Sequence, residues 1–243
     1  MNILILAAGQ APLVPDVDYP LCLAEFDSVP LIQRVTKLCT GLNPSRLIVA
    51  FRASEISRYH LDKVVTLLWP DAVIVRVQEE TRGAACTALL AAGMIDGDDE
   101  LLIVNGNELL NTDFLAIVSD FRESELDAGT VVFDSIHPRY SYVRLDQHGL
   151  VVEASEKKPI STNATAGFYW FARGGDFVAA AKNLIRKDAS VSDKFYICPT
   201  FNELVLAQRR IGVHRVDSSL YYPLKSGRQV EQFEAAIDRE RAR

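Results

Sequence analysis

The first residues whose spacing could do chemistry are Leu6-Ala7-Ala8-Gly9-Gln10. Small side chains let a ligand approach the backbone, and the N–H groups of the following loop are donors for a phosphate. The same stretch also reads as an ordinary tight turn between a strand and a helix. Other chemistries are poorly served. His60, His137, His148 and His214 have no i, i+4 partner that would suggest a zinc site. Nothing has the G-x-S-x-G spacing of a serine nucleophile, so covalent catalysis is not expected. The four cysteines, Cys22, Cys39, Cys86 and Cys198, are widely spaced in apolar surroundings without a C-x-x-C pair, and read as reduced core thiols of a cytoplasmic protein.

The elements that must position these residues follow from hydrophobic period. Asn2 to Leu6 is an apolar run suited to a parallel strand buried on both faces. Residues 10 to 20 hold Pro12, Pro15 and Pro20 and form a loop. Pro30 opens a helical pattern through Leu31, Ile32, Val35 and Leu38. Strand and helix then alternate: Arg46 to Phe51 a strand, Ser54 to Leu68 a helix, Ala72 to Val77 a strand, Ala84 to Met94 a helix, Leu101 to Val104 a strand. Such alternation implies crossovers and a parallel sheet, with ligands beyond the carboxyl ends of its strands. A helix runs from Asp113 to about Arg122, after which the texture changes. Gly129 to Ser135, Tyr140 to Asp146, Val151 to Ser155 and Gly167 to Ala172 are short strand-like runs, with Gln147-His148-Gly149 as a tight turn. Asp176 to Lys187 and Thr200 to Gln208 are helical, Ile211 to Val216 is an edge strand, and Gln229 onward is either a thin packing helix or a frayed tail.

Bulk properties restrict the partners. The 243 residues suit one α/β domain, and 49% hydrophobic with 24% charged residues is globular composition. The net charge is −6 with Lys and Arg scattered, which is not the basic footprint of a nucleic-acid binder. The opening apolar run lacks a basic leader and ends at Gly9, well short of a membrane span.

Several short motifs occur in order. Leu6-Ala7-Ala8-Gly9-Gln10 is followed by Tyr19-Pro20-Leu21-Cys22-Leu23 and Pro30-Leu31-Ile32, then by Gln78 with Gly83-Ala84-Ala85, and then by Gly106-Asn107. Val152-Glu153 with Glu156-Lys157, Ala166-Gly167-Phe168-Tyr169, and Tyr196-Ile197-Cys198-Pro199 with Asn202-Glu203-Leu204 complete the set. Together they resemble the sugar-phosphate nucleotidyltransferases, the nucleoside-diphosphate-sugar pyrophosphorylases, over roughly residues 1 to 230. The resemblance implies a mostly parallel, Rossmann-like central sheet flanked by helices, with a smaller antiparallel β element in the second half. It further implies one domain over 1–243: a nucleotide-binding half at 1–120, a sugar-phosphate half at 121–230 and a helical tail at 231–243.

The implied activity is transfer of a nucleotidyl group from a nucleoside triphosphate to a sugar phosphate or similar molecule, releasing pyrophosphate, for surface polysaccharide. Leu6, Ala7, Ala8, Gly9, Gln10, Gln78, Gly83 and Ala84 would bind the nucleotide; Tyr140, Glu156, Lys157 and Gly167 the sugar phosphate; and Asn107 and Glu108 a Mg²⁺. Nucleic acid and membrane are not expected as partners, whereas a homo-oligomer is compatible with the pattern.

The chain departs from the family where charge is needed. Ala11 stands for the second loop Gly, Pro12-Leu13 for the loop Arg, Leu21 for the Lys, Asn107 and Pro223 for the two metal-binding Asp residues, and Ser141 for a Gly after Tyr140. Phosphoryl transfer rests on positioning and charge neutralisation, so these losses weaken ordinary catalysis. Arg82 and Lys157 are candidates to reach a phosphate, and Asp16, Asp18 or Glu108 to ligate a metal; Asp16 and Asp18 also read as plain loop residues and Arg82 as a solvated surface residue. Two other classes stay open: a regulatory protein that binds nucleotide sugars without turnover, and a glycosyltransferase, for which Asn105-Gly106-Asn107-Glu108 is a poor metal-binding turn.

Overall fold

A computed structural model describes residues 1–9, 19–224 and 226–241. In chain order the elements are β1 (Asn2–Leu6), β2 (Glu25–Phe26), β3 (Val29–Pro30), α1 (Leu31–Thr40), β4 (Arg46–Arg52), α2 (Ala53–Tyr59), α3 (Leu61–Leu68) and β5 (Val73–Val77). There follow α4 (Ala84–Leu89), α5 (Ala92–Ile95), β6 (Leu101–Asn105), β7 (Glu108–Leu110), α6 (Phe114–Glu123), β8 (Ala128–Asp134), β9 (Ser141–Leu145), β10 (Val151–Glu156) and β11 (Asn163–Phe171). The chain continues through α7 (Gly174–Arg186), α8 (Thr200–Leu206), β12 (Ile211–Arg215), β13 (Tyr221–Pro223) and α9 (Gly227–Arg241).

Period-two alternation builds the centre of the molecule. On β1, Ile3 and Ile5 face one apolar layer and Leu4 and Leu6 the other. Five buried residues in a row give a strand with neighbours on both edges, and β1 pairs in parallel with β4 and with β6. The parallel order β5-β4-β1-β6 is extended by β11, which runs antiparallel to β6, and then by β8, β9, β10 and β12 in the same nine-stranded sheet. The antiparallel strands are thus continuous with the parallel ones, and both halves of the sequence meet between β6 and β11.

Helices cover both faces because their apolar stripes match the two layers. On one face α1 contributes Leu31, Ile32, Val35 and Cys39, and α6 contributes Phe114, Ile117, Val118 and Phe121. The first turn of α6 is capped by the Asp113 carboxylate, which accepts from the Leu115 and Ala116 N–H groups at 2.9 and 3.4 Å. On the other face α7 and α8 bring Phe177, Val178, Leu184, Phe201 and Leu204 against Tyr169 and Phe171. The last helix, α9, is a packing helix: Phe233 meets Phe26 and Tyr222 with ring centroids 4.8 and 4.7 Å apart.

Two expected helices are each divided. His60 adopts the left-handed conformation (φ 53°), so its N–H closes α2 on Ile56 while Leu61 starts α3. Between α4 and α5, the Leu90 and Ala91 N–H groups reach back only three residues, to Thr87 and Ala88, and the tightened turn ends the helix. Two ribbons were not visible in the sequence: β2 with β3, and β7 with β13. Strands of two or three residues are too short for a hydrophobic period to show. No described helix is long and apolar enough to cross a membrane.

The thiols supply a test of the core. Burial pushes the Cys22 and Cys39 thiols up to about 12 and raises Cys198 as well, whereas Cys86 is only half-buried. Native protein at pH 8 is expected to react with a chromogenic disulfide at Cys86 first, and with four equivalents only after denaturation. Rapid titration of all four thiols in the native state would contradict this packing.

Candidate functional site

The carboxyl ends of β1, β4 and β6 open into a cleft of about 380 Å³. Its floor is the end of β1, where Leu6, Ala7, Ala8 and Gly9 line it, and the Ala7 N–H is fixed on the Ala50 carbonyl at 3.0 Å. Gly106 is tied to the same place by an N–H bond of 2.8 Å to the Leu6 carbonyl, which sets Asn107 beside the floor. Among the described residues nothing lies within 4 Å of where a Gly9 Cβ would stand. Gln10, together with Ala11, Pro12, Leu13, Asp16 and Asp18, lies outside the described residues.

One wall carries Gln78, Gly83 and Ala84. Gly83 has φ +107°, and a Cβ there would stand 2.4 Å from the Phe195 carbonyl oxygen, so only glycine fits. Two backbone bonds make this contact: Phe195 N–H to the Arg82 carbonyl (2.7 Å) and Ala85 N–H to the Phe195 carbonyl (3.0 Å). A second part of the lining carries Tyr140, which precedes β9, and Ser141, Glu156, Thr165, Gly167 and Tyr169 from β9, β10 and β11. Ser141 Oγ donates to the Glu156 carboxylate, and Thr165 and Tyr169 hydroxyls lie 3.0 Å apart. Burial holds the Tyr169 phenol well above its ordinary pKa, and burial beside Glu108 does the same for Tyr221, so both stay protonated as donors.

Most residues singled out from the sequence therefore share one cavity: Leu6, Ala7, Ala8, Gly9, Gln78, Gly83, Ala84, Asn107, Glu108, Tyr140, Glu156 and Gly167 all line it. Arg82 and Lys157 do not. The Arg82 guanidinium lies over the Phe195 ring at 4.9 Å, with Nε on the Asp193 carbonyl (3.3 Å) and an Asp188 carboxylate 3.6 Å away. The Lys157 ammonium donates to the Tyr196 hydroxyl at 2.8 Å, so it touches the cleft only through a tyrosine that lines it. Cations that do line the cleft are Arg52, Arg139 and Lys194, none of them evident beforehand. Arg139 directly precedes Tyr140 and stacks on its ring at 4.9 Å, a signal within a matched motif. Arg52 could be recognised only once β4 was known to lie beside β1.

The cation-binding corner is poor in donors. Antiparallel pairing of β13 with β7 sets Pro223 opposite Glu108, and the Leu224 N–H donates to the Asn107 carbonyl at 3.0 Å, so Asn107 and Pro223, the positions of the two expected Asp residues, lie on neighbouring strands. Pro223 offers no side-chain donor and Asn107 only an amide. Glu108 is 7% exposed, accepts from the Asn105 amide at 3.1 Å and lies against Gly167, where a Cβ would meet its carboxylate oxygen at 2.1 Å. Among the described residues no group of three His, Cys, Asp or Glu side chains could hold a metal ion. This donor set does not fit Mg²⁺, a hard ion held by carboxylates in octahedral geometry. Leu21 also lines the cleft, buried in a 3₁₀ turn over Leu21–Leu23, so an apolar side chain occupies the place of the expected Lys.

The nucleotidyl transferase family model matches residues 3–202. The chain belongs to the nucleotidyl transferase family. This family member is 30% identical over 183 residues to the bifunctional protein GlmU of Prochlorococcus marinus (strain MIT 9313), covering 70% of this chain and 39% of that protein. It is 27% identical over 161 residues to GlmU of Carboxydothermus hydrogenoformans (65% and 34% covered), so the chain spans little more than a third of these curated relatives. Its fold is shared by the nucleoside-diphosphate-sugar pyrophosphorylase of Vibrio cholerae RC9, with TM-score 0.80, 19% identity and 97% and 100% of the two chains covered. A UDP-glucose pyrophosphorylase complexed with UDP-glucose shares it too, with TM-score 0.79, 14% identity and 98% of each chain covered.

Proposed function

We propose that the cleft takes a nucleoside triphosphate beside a phosphorylated sugar or similar small molecule and transfers the nucleotidyl group. A phosphate oxygen of the acceptor forms a bond to the α-phosphorus, the bond from that phosphorus to the β-phosphate oxygen breaks, and pyrophosphate leaves. One observation supports the reading above the others: residues that the resemblance implies as nucleotide contacts and residues it implies as sugar contacts line a single cavity. The base rests against Gln78 and Gly83, Ala8 and Gly9 present the floor to the phosphates, and Glu156 with Tyr140 and Gly167 orients the sugar. Rate comes from holding both reactants in line. A soluble role in making activated sugars for surface polysaccharide suits such a reaction.

Leu21, Asn107 and Pro223 favour a second reading, a nucleotide-sugar-binding protein without turnover. The protein should be incubated with each common nucleoside triphosphate and a panel of sugar 1-phosphates, in Mg²⁺ and in chelator, with pyrophosphate followed continuously. Transfer predicts release with one preferred base and one preferred sugar. Silence across the panel, combined with saturable calorimetric binding of a nucleoside-diphosphate sugar, would leave the second reading in its place.

A further inference from the structure

We propose that Arg52, and not a divalent cation, neutralises the phosphates of the bound ligand; the inference rests on the cleft's being a nucleotide site. Arg52 closes β4, the parallel neighbour of β1, and stands at the carboxyl edge of the sheet where the cleft begins. Its Nε donates to the Ala8 carbonyl at 3.0 Å, which anchors the guanidinium to the floor that the ligand must cross. A guanidinium fixed through Nε retains its two terminal nitrogens as a fork suited to phosphate oxygens.

The position matches the missing charge. Arg52 lines the same cleft as Leu21, the isobutyl group that stands where the resemblance expects an ammonium. The other cations lining the cleft each have a partner: Lys194 pairs with Glu80 at 3.3 Å and Arg139 lies on Tyr140. Among the described residues the metal corner offers no substitute, because Asn107 and Pro223 bring no carboxylate and Glu108 is buried against Gly167 and Asn105. A phosphate at the floor thus meets an arginine first.

The test is calorimetry of the intact protein with the common nucleoside 5′-diphosphates and the corresponding nucleosides, in Mg²⁺ and in excess chelator, for wild type, Arg52→Ala and Arg52→Lys. Binding of the preferred diphosphate should agree within about twofold between the two conditions. Arg52→Ala should weaken the diphosphate by about ten- to a hundredfold, the range of a charge-assisted hydrogen bond, and the nucleoside by less than about twofold. Arg52→Lys should recover part of the loss, and it also serves if the alanine variant melts early. Binding that requires Mg²⁺, or an Arg52→Ala protein with unchanged diphosphate affinity, would overturn the proposal while leaving a nucleotide cleft. Failure of every nucleotide and nucleoside to bind would remove the cleft reading and this inference with it.

Discussion

Gly83→Ala is expected to destabilise the protein by about 3 kcal/mol and to abolish nucleotide binding at concentrations that saturate the wild type. Two effects add. A residue with a Cβ is strained at φ +107°, at about 1–3 kcal/mol, and the methyl would stand 2.4 Å from the Phe195 carbonyl oxygen, an overpacking that itself costs about 1–3 kcal/mol. Relief cannot come from a side chain, because the obstruction is backbone held by the Phe195–Arg82 and Ala85–Phe195 hydrogen bonds. The strand-like segment before α8 must instead shift, and it carries Lys194, Tyr196 and Ile197 of the cleft. Denaturant midpoints and calorimetry measure the two consequences. Gly93→Ala, in α5 with nothing within 4 Å of its Cβ, is the control and should be neutral or stabilising by up to about 1 kcal/mol. Equal effects at both positions would refute the close approach at Gly83.

Glu156→Ala should weaken binding of a nucleoside-diphosphate sugar by about 2 kcal/mol, or roughly thirtyfold, while affinity for the matching nucleoside diphosphate changes little. Glu156 is 8% exposed at the end of β10 and lines the same cleft as Gln78 and Gly83. A hydrogen bond from a sugar hydroxyl to a buried carboxylate is charge-assisted, and its loss also strands the Ser141 hydroxyl. Glu156→Gln keeps the volume and one acceptor, so it should fall between wild type and alanine. A uniform loss for diphosphate and diphosphate sugar alike would show that Glu156 shapes the whole cleft and not its sugar side.

Much of the architecture was legible because its signals are local. The five-residue apolar run Asn2–Leu6, the helical stripe of α1 and the Asp113 start of α6 are patterns within ten residues of chain, and each element forms where its pattern lies. Where local signals compete, the outcome was hidden. A left-handed His60 splits one amphipathic pattern into α2 and α3, and the β7 and β13 ribbon joins segments more than a hundred residues apart with three residues each. The departures at Leu21, Asn107 and Pro223 were equally plain as residue types, because loss of a charge is a property of the side chain itself.

The identity of the site's charges was different. Lys157 sits in a matched motif, yet its ammonium is held by Tyr196, 39 residues on in the chain. Arg82 is likewise occupied by Phe195 and Asp193. Arg52 lines the cleft because β4 pairs with β1, a strand order that no hydrophobic period encodes. The sequence by itself determined the alternating layers, the order of the motifs and the absence of the usual Lys and Asp at Leu21, Asn107 and Pro223, since period and side-chain chemistry are written residue by residue. Only the tertiary structure decided which cations reach the floor beside Gly9, because long flexible side chains choose among partners that pairing of distant strands brings within a few ångströms.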